Sequence, residues 1–330
     1  SRFRIWLRIG HCLRLVFNHI CCDLDSILGP EEVGILRMSL KLSWNKILTY
    51  LYLLTISTLI LMPIWWVFST SLRLPIESYS LPPKWFPTDF RWENYYEVLF
   101  SYYLEQEGIF VGAQSSANVP FLHMLRNSFI VTFSTCLGQV FFCSFAGYAF
   151  ARLEFPAKKT LFWIIMATMM IPLQVTIIPV YILITKIGLA DSLTGLILPA
   201  IPSAFGAFLM RQYYLRIPSE MEEAAIIDGA SQWKIFWKIY FPLGTPGMVV
   251  LGILCFNFHW NEFFRPLIFL STDFNFTVPL GIVMLRDFKM TGSVSVVFAG
   301  IIFSIIPALV IYMFGQKHLI EGMLTGSVKG

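Results

Sequence analysis

Residues 47–69 read ILTYLYLLTISTLILMPIWWVFS, 23 consecutive positions without a charged side chain. A helix needs about 20 mostly apolar residues to cross the hydrocarbon of a bilayer, so this run is long enough to span. Five runs of the same character follow at about 127–151, 161–183, 193–213, 244–270 and 294–315. Composition agrees: of 330 residues 56% are hydrophobic and 13% charged, against about 45–50% and about 25% in an ordinary soluble domain. So little charge cannot cover a water-facing surface, which argues against a soluble monomer. The 31 Phe, 13 Tyr and 10 Trp exclude a disordered chain. The expected fold class is all-α, a polytopic protein of six transmembrane helices in a lipid bilayer.

Lys and Arg, counted on alternate sides of these spans, divide 16 to 8. The richer side holds both termini and the loops after the second and fourth spans, so it is expected to face the cytoplasm. The net charge of +4 is spread along the chain rather than gathered in one patch, which argues against a nucleic-acid partner. Cys12, Cys21, Cys22, Cys136, Cys143 and Cys255 form no CxxC pair, so neither a disulfide framework nor a metal site is expected, and no cofactor. Residues 1–46 read as a cytoplasmic N-terminal segment. Within it, residues 1–37 are either a basic amphipathic stretch on the inner membrane face or an extension upstream of a natural start at Met38.

Between the fourth and fifth spans lies a cytoplasmic segment, 215–242, far longer than the 2–8 or so residues a helical hairpin needs. Ser219 with Glu222 reads as a capping box that starts a short helix, and Gly229 as the left-handed residue that ends it. Ser231 is placed to cap a second helix through Trp233, Phe236 and Tyr240, which Pro242 is expected to stop. The small pair Ala224-Ala225 would let another backbone approach closely. Apolar side chains held at the surface imply a protein that covers them.

Glu223-Ala224-Ala225, then Gly229 after three residues, then Ile239 after nine, then Phe241-Pro242, resembles the EAA signature of the membrane subunits of bacterial ABC importers. Phe241 departs from the family's usual Leu but keeps bulk and apolarity. The likeness extends from about Asn127 to the end of the chain through Ala149-Phe150-Ala151-Arg152, Ile197-Leu198-Pro199, Ile227-Asp228-Gly229-Ala230, Trp260-Asn261-Glu262-Phe263 and the ending Gly326-Ser327-Val328-Lys329-Gly330. These look like the carbohydrate, maltose-type branch. The resemblance implies a bacterial inner-membrane permease that moves a sugar or oligosaccharide inward. Implied with it are cytoplasmic ATP-binding subunits, a second and different permease chain, and an extracytoplasmic solute-binding protein. It also implies that Glu223, Ala224, Ala225, Asp228, Gly229, Ile239 and Pro242 dock the ATPase, toward which the tail 316–330 reaches. No G-x-x-x-x-G-K-[ST] loop is present, so the chain is not expected to be an enzyme, and ATP would be hydrolysed by another polypeptide.

Polar side chains inside spans are costly in lipid and tend to face a cavity or another helix. Gln139, Asn257, Trp260, Asn261 and Glu262 are the candidates for a translocation path, because planar hydrogen-bonding groups and aromatic faces suit sugars. His259 reads as a packing residue and Gln174, between Pro172 and Pro179, as a repair of missing backbone bonds. The long loop 70–122, with an apparent insertion at 101–120, and the loop 273–292 are expected on the outer face. An intramembrane enzyme lacks its motifs here, HExxH and GxSxG being absent. An ion-coupled carrier would need more acidic groups in its spans than Glu262 alone, and a permease for a non-sugar solute such as glycerol phosphate stays open.

Overall fold

The computed structural model describes residues 44–74, 77–78, 84–106, 119–287 and 294–327. The expectations for residues 1–37, for 107–118 of the apparent insertion, for 288–293 of the second outer loop and for Lys329-Gly330 of the tail lie outside them. Every regular element among the described residues is a helix, as the composition and run lengths require. The chain forms two units, one ending at Trp65 and one beginning at Trp66.

Helix α1 (Trp44–Ser71) crosses that boundary. Between Ile47 and Trp65 it is exposed nearly all round although almost wholly apolar, the pattern of a helix whose surroundings are hydrocarbon. In the second unit α2 (Glu93–Gln106) folds within the segment between α1 and α3. It packs on the start of α3 (Phe121–Arg152) and on α13 (Val294–Ser327) around Val98, Phe121, Met124 and Val296. Then come α4 (Lys158–Thr168), α5 (Leu173–Lys186), α6 (Leu193–Ala200) and α7 (Ala204–Tyr214). The remaining helices are α8 (Glu220–Ile227), α9 (Gln232–Leu243), α10 (Thr245–Trp260), α11 (Phe264–Phe269) and α12 (Val278–Asp287).

Three helices, in α1, α3 and α13, are continuous and long enough to cross a bilayer by themselves. Three expected spans are not straight. The third breaks between α4 and α5 by 101° at Met169–Pro172, and the fourth between α6 and α7 by 43° just before Ala204. Pro172 and Pro202 sit at these breaks, where a missing N–H and the ring's clash with the preceding turn end a helix. The fifth begins after a 69° bend between α9 and α10 and stops at Trp260 rather than Leu270, with α11 following. Counting each bent pair as one crossing gives up to six.

The second unit is organised around α3, on which α7 and α10 both pack. Its approach to α7 depends on Gly147, where a β-carbon would stand 2.6 Å from Met210 Cβ and 2.8 Å from the backbone nitrogen of Arg211. Contact that close brings two backbones together as small residues do in membrane interfaces.

Candidate functional site

The segment between α7 and α10 folds as a helix, a turn and a second helix. Three glutamates, Glu220, Glu222 and Glu223, occupy the first turn of α8, where the positive end of the helix dipole favours them. The expected capping box is absent. Ser219 already has helical backbone angles (φ −68°, ψ −25°) and its hydroxyl makes no cap bond, because an N-cap needs an extended residue. Glu222 instead accepts a hydrogen bond from Tyr240 Oη at 2.7 Å, tying α8 to α9. At its far end α8 closes as expected. Gly229 takes φ +77°, its N–H donates to Ile226 O at 2.9 Å, and Ala230 N–H donates to Ala225 O at 2.9 Å. These are the paired bonds of a Schellman turn.

Ser231 caps α9, its hydroxyl accepting from Lys234 N–H. Pro242 does not stop that helix. Residues Phe236–Tyr240 take a π-helical turn, which places the prolyl nitrogen where no i→i−4 bond is required of it, and the chain runs on to Leu243. The bend falls at Gly244, where a side chain would collide with Tyr214 at 2.5 Å.

The two helices are bolted to the ends of α3 and α7. Phe145, Tyr148, Tyr214, Phe236 and Tyr240 form one aromatic cluster, with Tyr148 and Tyr240 rings 4.9 Å apart. Tyr148 Oη donates to Gln232 Oε1 at 2.6 Å. Arg152, the last residue of α3, donates to the carbonyls of Tyr214 and Ile217 and lies over the Tyr240 ring. Burial and then the neighbouring Glu222 raise the Tyr240 hydroxyl well above its ordinary pKa, so it stays a donor to that carboxylate. The α8–α9 segment is thereby fastened to the ends of α3 and α7.

The residues expected to dock a partner divide. Glu223, Ala224, Asp228, Gly229 and Pro242 are exposed, whereas Ala225 and Ile239 are half-buried against the aromatic cluster and hold the segment together. Met221 and Ile227 were not singled out by sequence reasoning, yet Ile227 stands 86% exposed at the tip. An isoleucine following a small-residue pair and preceding a turn glycine was the available signal.

The polar residues expected in the spans divide too. Gln139 of α3 and Glu262, in the break after α10, line one cavity of about 540 Å³ together with His259 and Arg265. Gln139 Nε2 donates to Ala200 O at 2.7 Å and lies 3.1 Å from His259 Nε2. His259 Nδ1 is 2.9 Å from Glu262 Oε2, and Arg265 Nη2 also bonds that oxygen. The tautomer with its proton on Nδ1 serves Gln139 and Glu262, while Arg265 Nη2 lies 3.2 Å from the same Nδ1 and is bound by Glu262. Glu262 and Arg265 side chains are 8% and 6% exposed, and Glu262 Oε1 and Arg265 Nε have no hydrogen-bond partner among the described residues.

Trp260, Asn257 and Asn261 are not brought to this cavity. Trp260 is buried in the packing between α10, α3 and α13, stacked on Phe256 and donating from Nε1 to Ser304 O at 2.8 Å. Asn261 Nδ2 donates to Asn257 O at 2.8 Å and finishes α10, while Asn257 borders a separate cavity of about 230 Å³. His259, which reads from the sequence as a packing residue, lines the cavity, and Arg265 was not singled out, although His259, Glu262 and Arg265 recur every third residue. At the other end of the bundle, Asn127 pins the loop after α11 by donating to the carbonyls of Phe274 and Phe276.

Residues 139–324 match the family described as binding-protein-dependent transport system inner membrane component. The chain is similar to the probable ABC transporter permease protein YurM of Bacillus subtilis, 32% identical over 283 residues, covering 85% of this chain and 86% of the relative. It is also similar to the sn-glycerol-3-phosphate transport system permease protein UgpE of Escherichia coli, 30% identical over 282 residues, covering 85% and 96%. Among solved structures, a chain of a bacterial ABC transporter that imports the acidic polysaccharide alginate superposes with a TM-score of 0.68 at 24% identity, covering 82% and 95%. A second alginate transporter structure, bound to a periplasmic protein carrying an alginate pentasaccharide, gives 0.53 at 14% identity. These two likenesses carry the fold alone.

Proposed function

The chain belongs to the binding-protein-dependent transport inner-membrane component family and is a multi-pass permease subunit of an ABC importer, and from that premise we propose how it couples and what it carries. The α8–α9 segment is the handle that a separate cytoplasmic ATP-binding subunit grips. What supports this is the bolting of a capped helix pair, with Ile227 and Met221 exposed, onto the ends of α3 and α7 through Arg152, Tyr148 and Tyr240. Both termini and this segment face the cytoplasm, where Lys and Arg are most numerous. This chain hydrolyses no ATP itself. A second, different permease chain completes the path, and a solute-binding protein delivers on the outer side.

The solute is a sugar or oligosaccharide. The cavity at Gln139, His259, Glu262 and Arg265 supports this reading, because the ion pair that lines it is internally neutralised. A neutral, hydroxyl-rich solute meets no uncompensated charge there, whereas a phosphate would need a cation not already engaged. The importer assembled with its ATPase in proteoliposomes tests the reading. ATP-dependent uptake of a neutral oligosaccharide, not suppressed by excess glycerol 3-phosphate, is expected. Gradient-driven flux by the chain alone would overturn the importer mechanism, and competition by glycerol 3-phosphate would reassign the solute, as the name of the Escherichia coli relative invites.

A further inference from the structure

A cavity of about 800 Å³ opens between the end of α3, the start of α4 and α7. It lies at the same end of the bundle as the α8–α9 segment, since the ends of α3 and α7 border both. Its lining is of two kinds. Lys158, Lys159 and Arg211 supply positive charge, and Phe155, Phe162 and Trp163 supply an apolar wall. The acidic group beside them, Glu154, is engaged by Lys158 at 3.2 Å while its own side chain stays 89% exposed. Cations therefore outnumber the carboxylate three to one at this opening.

Arg211 is held for recognition rather than left to wander. Its Nε donates to Phe150 O at 3.1 Å and its guanidinium lies 4.2 Å over the Phe162 ring. A guanidinium fixed flat against a ring keeps its outer in-plane N–H donors, the fork that matches a phosphate. Trp163 is 71% exposed, and its amphipathic ring is of the kind found at headgroup level. Cations above an aromatic wall, at the level where a span begins, match a phosphodiester above an acyl chain.

We infer that this cavity seats the headgroup of an anionic phospholipid, with Lys158, Lys159 and Arg211 on the phosphate and Phe155 and Trp163 against the chains. The placement of the lipid in the cytoplasmic leaflet rests on the orientation proposed above. Because α4 leads into the 101° break and α7 meets both α3 and the bolted segment, a lipid there would brace the end of the bundle on which the ATPase pulls.

Native mass spectrometry of the importer complex, released from nanodiscs of phosphatidylglycerol or of phosphatidylcholine, reads lipid retention directly. Retention of phosphatidylglycerol over phosphatidylcholine is expected, falling about five-fold for each of Lys158→Gln, Lys159→Gln and Arg211→Gln, as about 1 kcal/mol per basic residue implies. The pair Lys186→Gln and Arg286→Gln, at the other end of the bundle, should leave retention unchanged. An unchanged melting temperature in the triple variant separates lost lipid from lost fold. Equal retention of the two lipids, or a preference that survives the triple variant, overturns the proposal. Displacement by excess inorganic phosphate reassigns the site to a free anion, and loss of the lipid on assembly with the second permease chain reassigns the cavity to that subunit. None of these readouts depends on transport, so the lipid site and the importer mechanism can fail separately.

Discussion

Glu262 and Arg265 illustrate what a single pair can decide in this molecule. Removing one partner leaves the other charged and buried, which costs about 3–5 kcal/mol, while replacing both with apolar side chains of similar volume is often close to neutral. Glu262→Gln should therefore lower the thermal midpoint of the purified protein sharply, and Glu262→Met with Arg265→Met should recover most of it. An additive double variant would show that the two do not act as a pair. A second residue, Asp191, sits outside the spans with φ +50°, a conformation aspartate tolerates better than most. Its carboxylate accepts from Ser271 N–H at 2.8 Å, Thr272 N–H at 3.1 Å and the Thr272 hydroxyl, and so fastens the turn after α5 to the segment after α11. Burial alone would raise its pKa, but these bonds outweigh it and hold it at about 2. Depressed below the unfolded value of about 3.9, it contributes stability that is fully present above about pH 4 and lost as pH falls through about 2. Asp191→Asn should thus destabilise at neutral pH, and the difference from wild type should shrink toward pH 2 in detergent melts. A difference that does not change with pH would contradict this.

At the scale of helices, the run-length criterion finds apolar segments but not their shape. Counting about 20 apolar residues is blind to where a proline interrupts the backbone ladder, so 161–183 and 193–213 read as rods while Pro172 and Pro202 bend them. The turn glycine at 229 and the cap at Ser231 were legible because each depends on local chemistry. The box at Ser219 was not, because Tyr240, eighteen residues away, competes for Glu222. Of the polar candidates, Gln139 and Glu262 reached the shared cavity, but Asn257 faces a separate cavity from within α10 and Asn261 bonds back to it, and residue type alone does not say which face of a helix meets a cavity. The α3–α7 contact offers a test at this scale. Gly147→Ala must push Met210 and a backbone nitrogen apart and should cost about 1–3 kcal/mol as overpacking. Gly229→Ala meets nothing within 4 Å and should cost only the backbone strain of φ +77°, about 1–2 kcal/mol. Chemical denaturation of the two variants compares them, and the helix-contact account further expects Gly147→Ala to loosen α7 in hydrogen exchange while Gly229→Ala loosens only the turn.

Across the whole molecule, the proposed handle is joined by aromatic packing and Arg152 to helices that carry a polar cavity. The fold places these two features at different depths of the same helix, α3, with Tyr148 and Arg152 near one end and Gln139 further in. Movement imposed on the handle must therefore reach the cavity. Cross-linking of Ile227→Cys to a cysteine placed in the cleft of the ATP-binding subunit that copurifies with the importer tests this most directly. A joined species whose yield changes with bound nucleotide, and whose formation arrests uptake, is the expected result. Continued ATP-driven uptake with no joined species at any nucleotide state, and undiminished when α8 is deleted, would contradict the account.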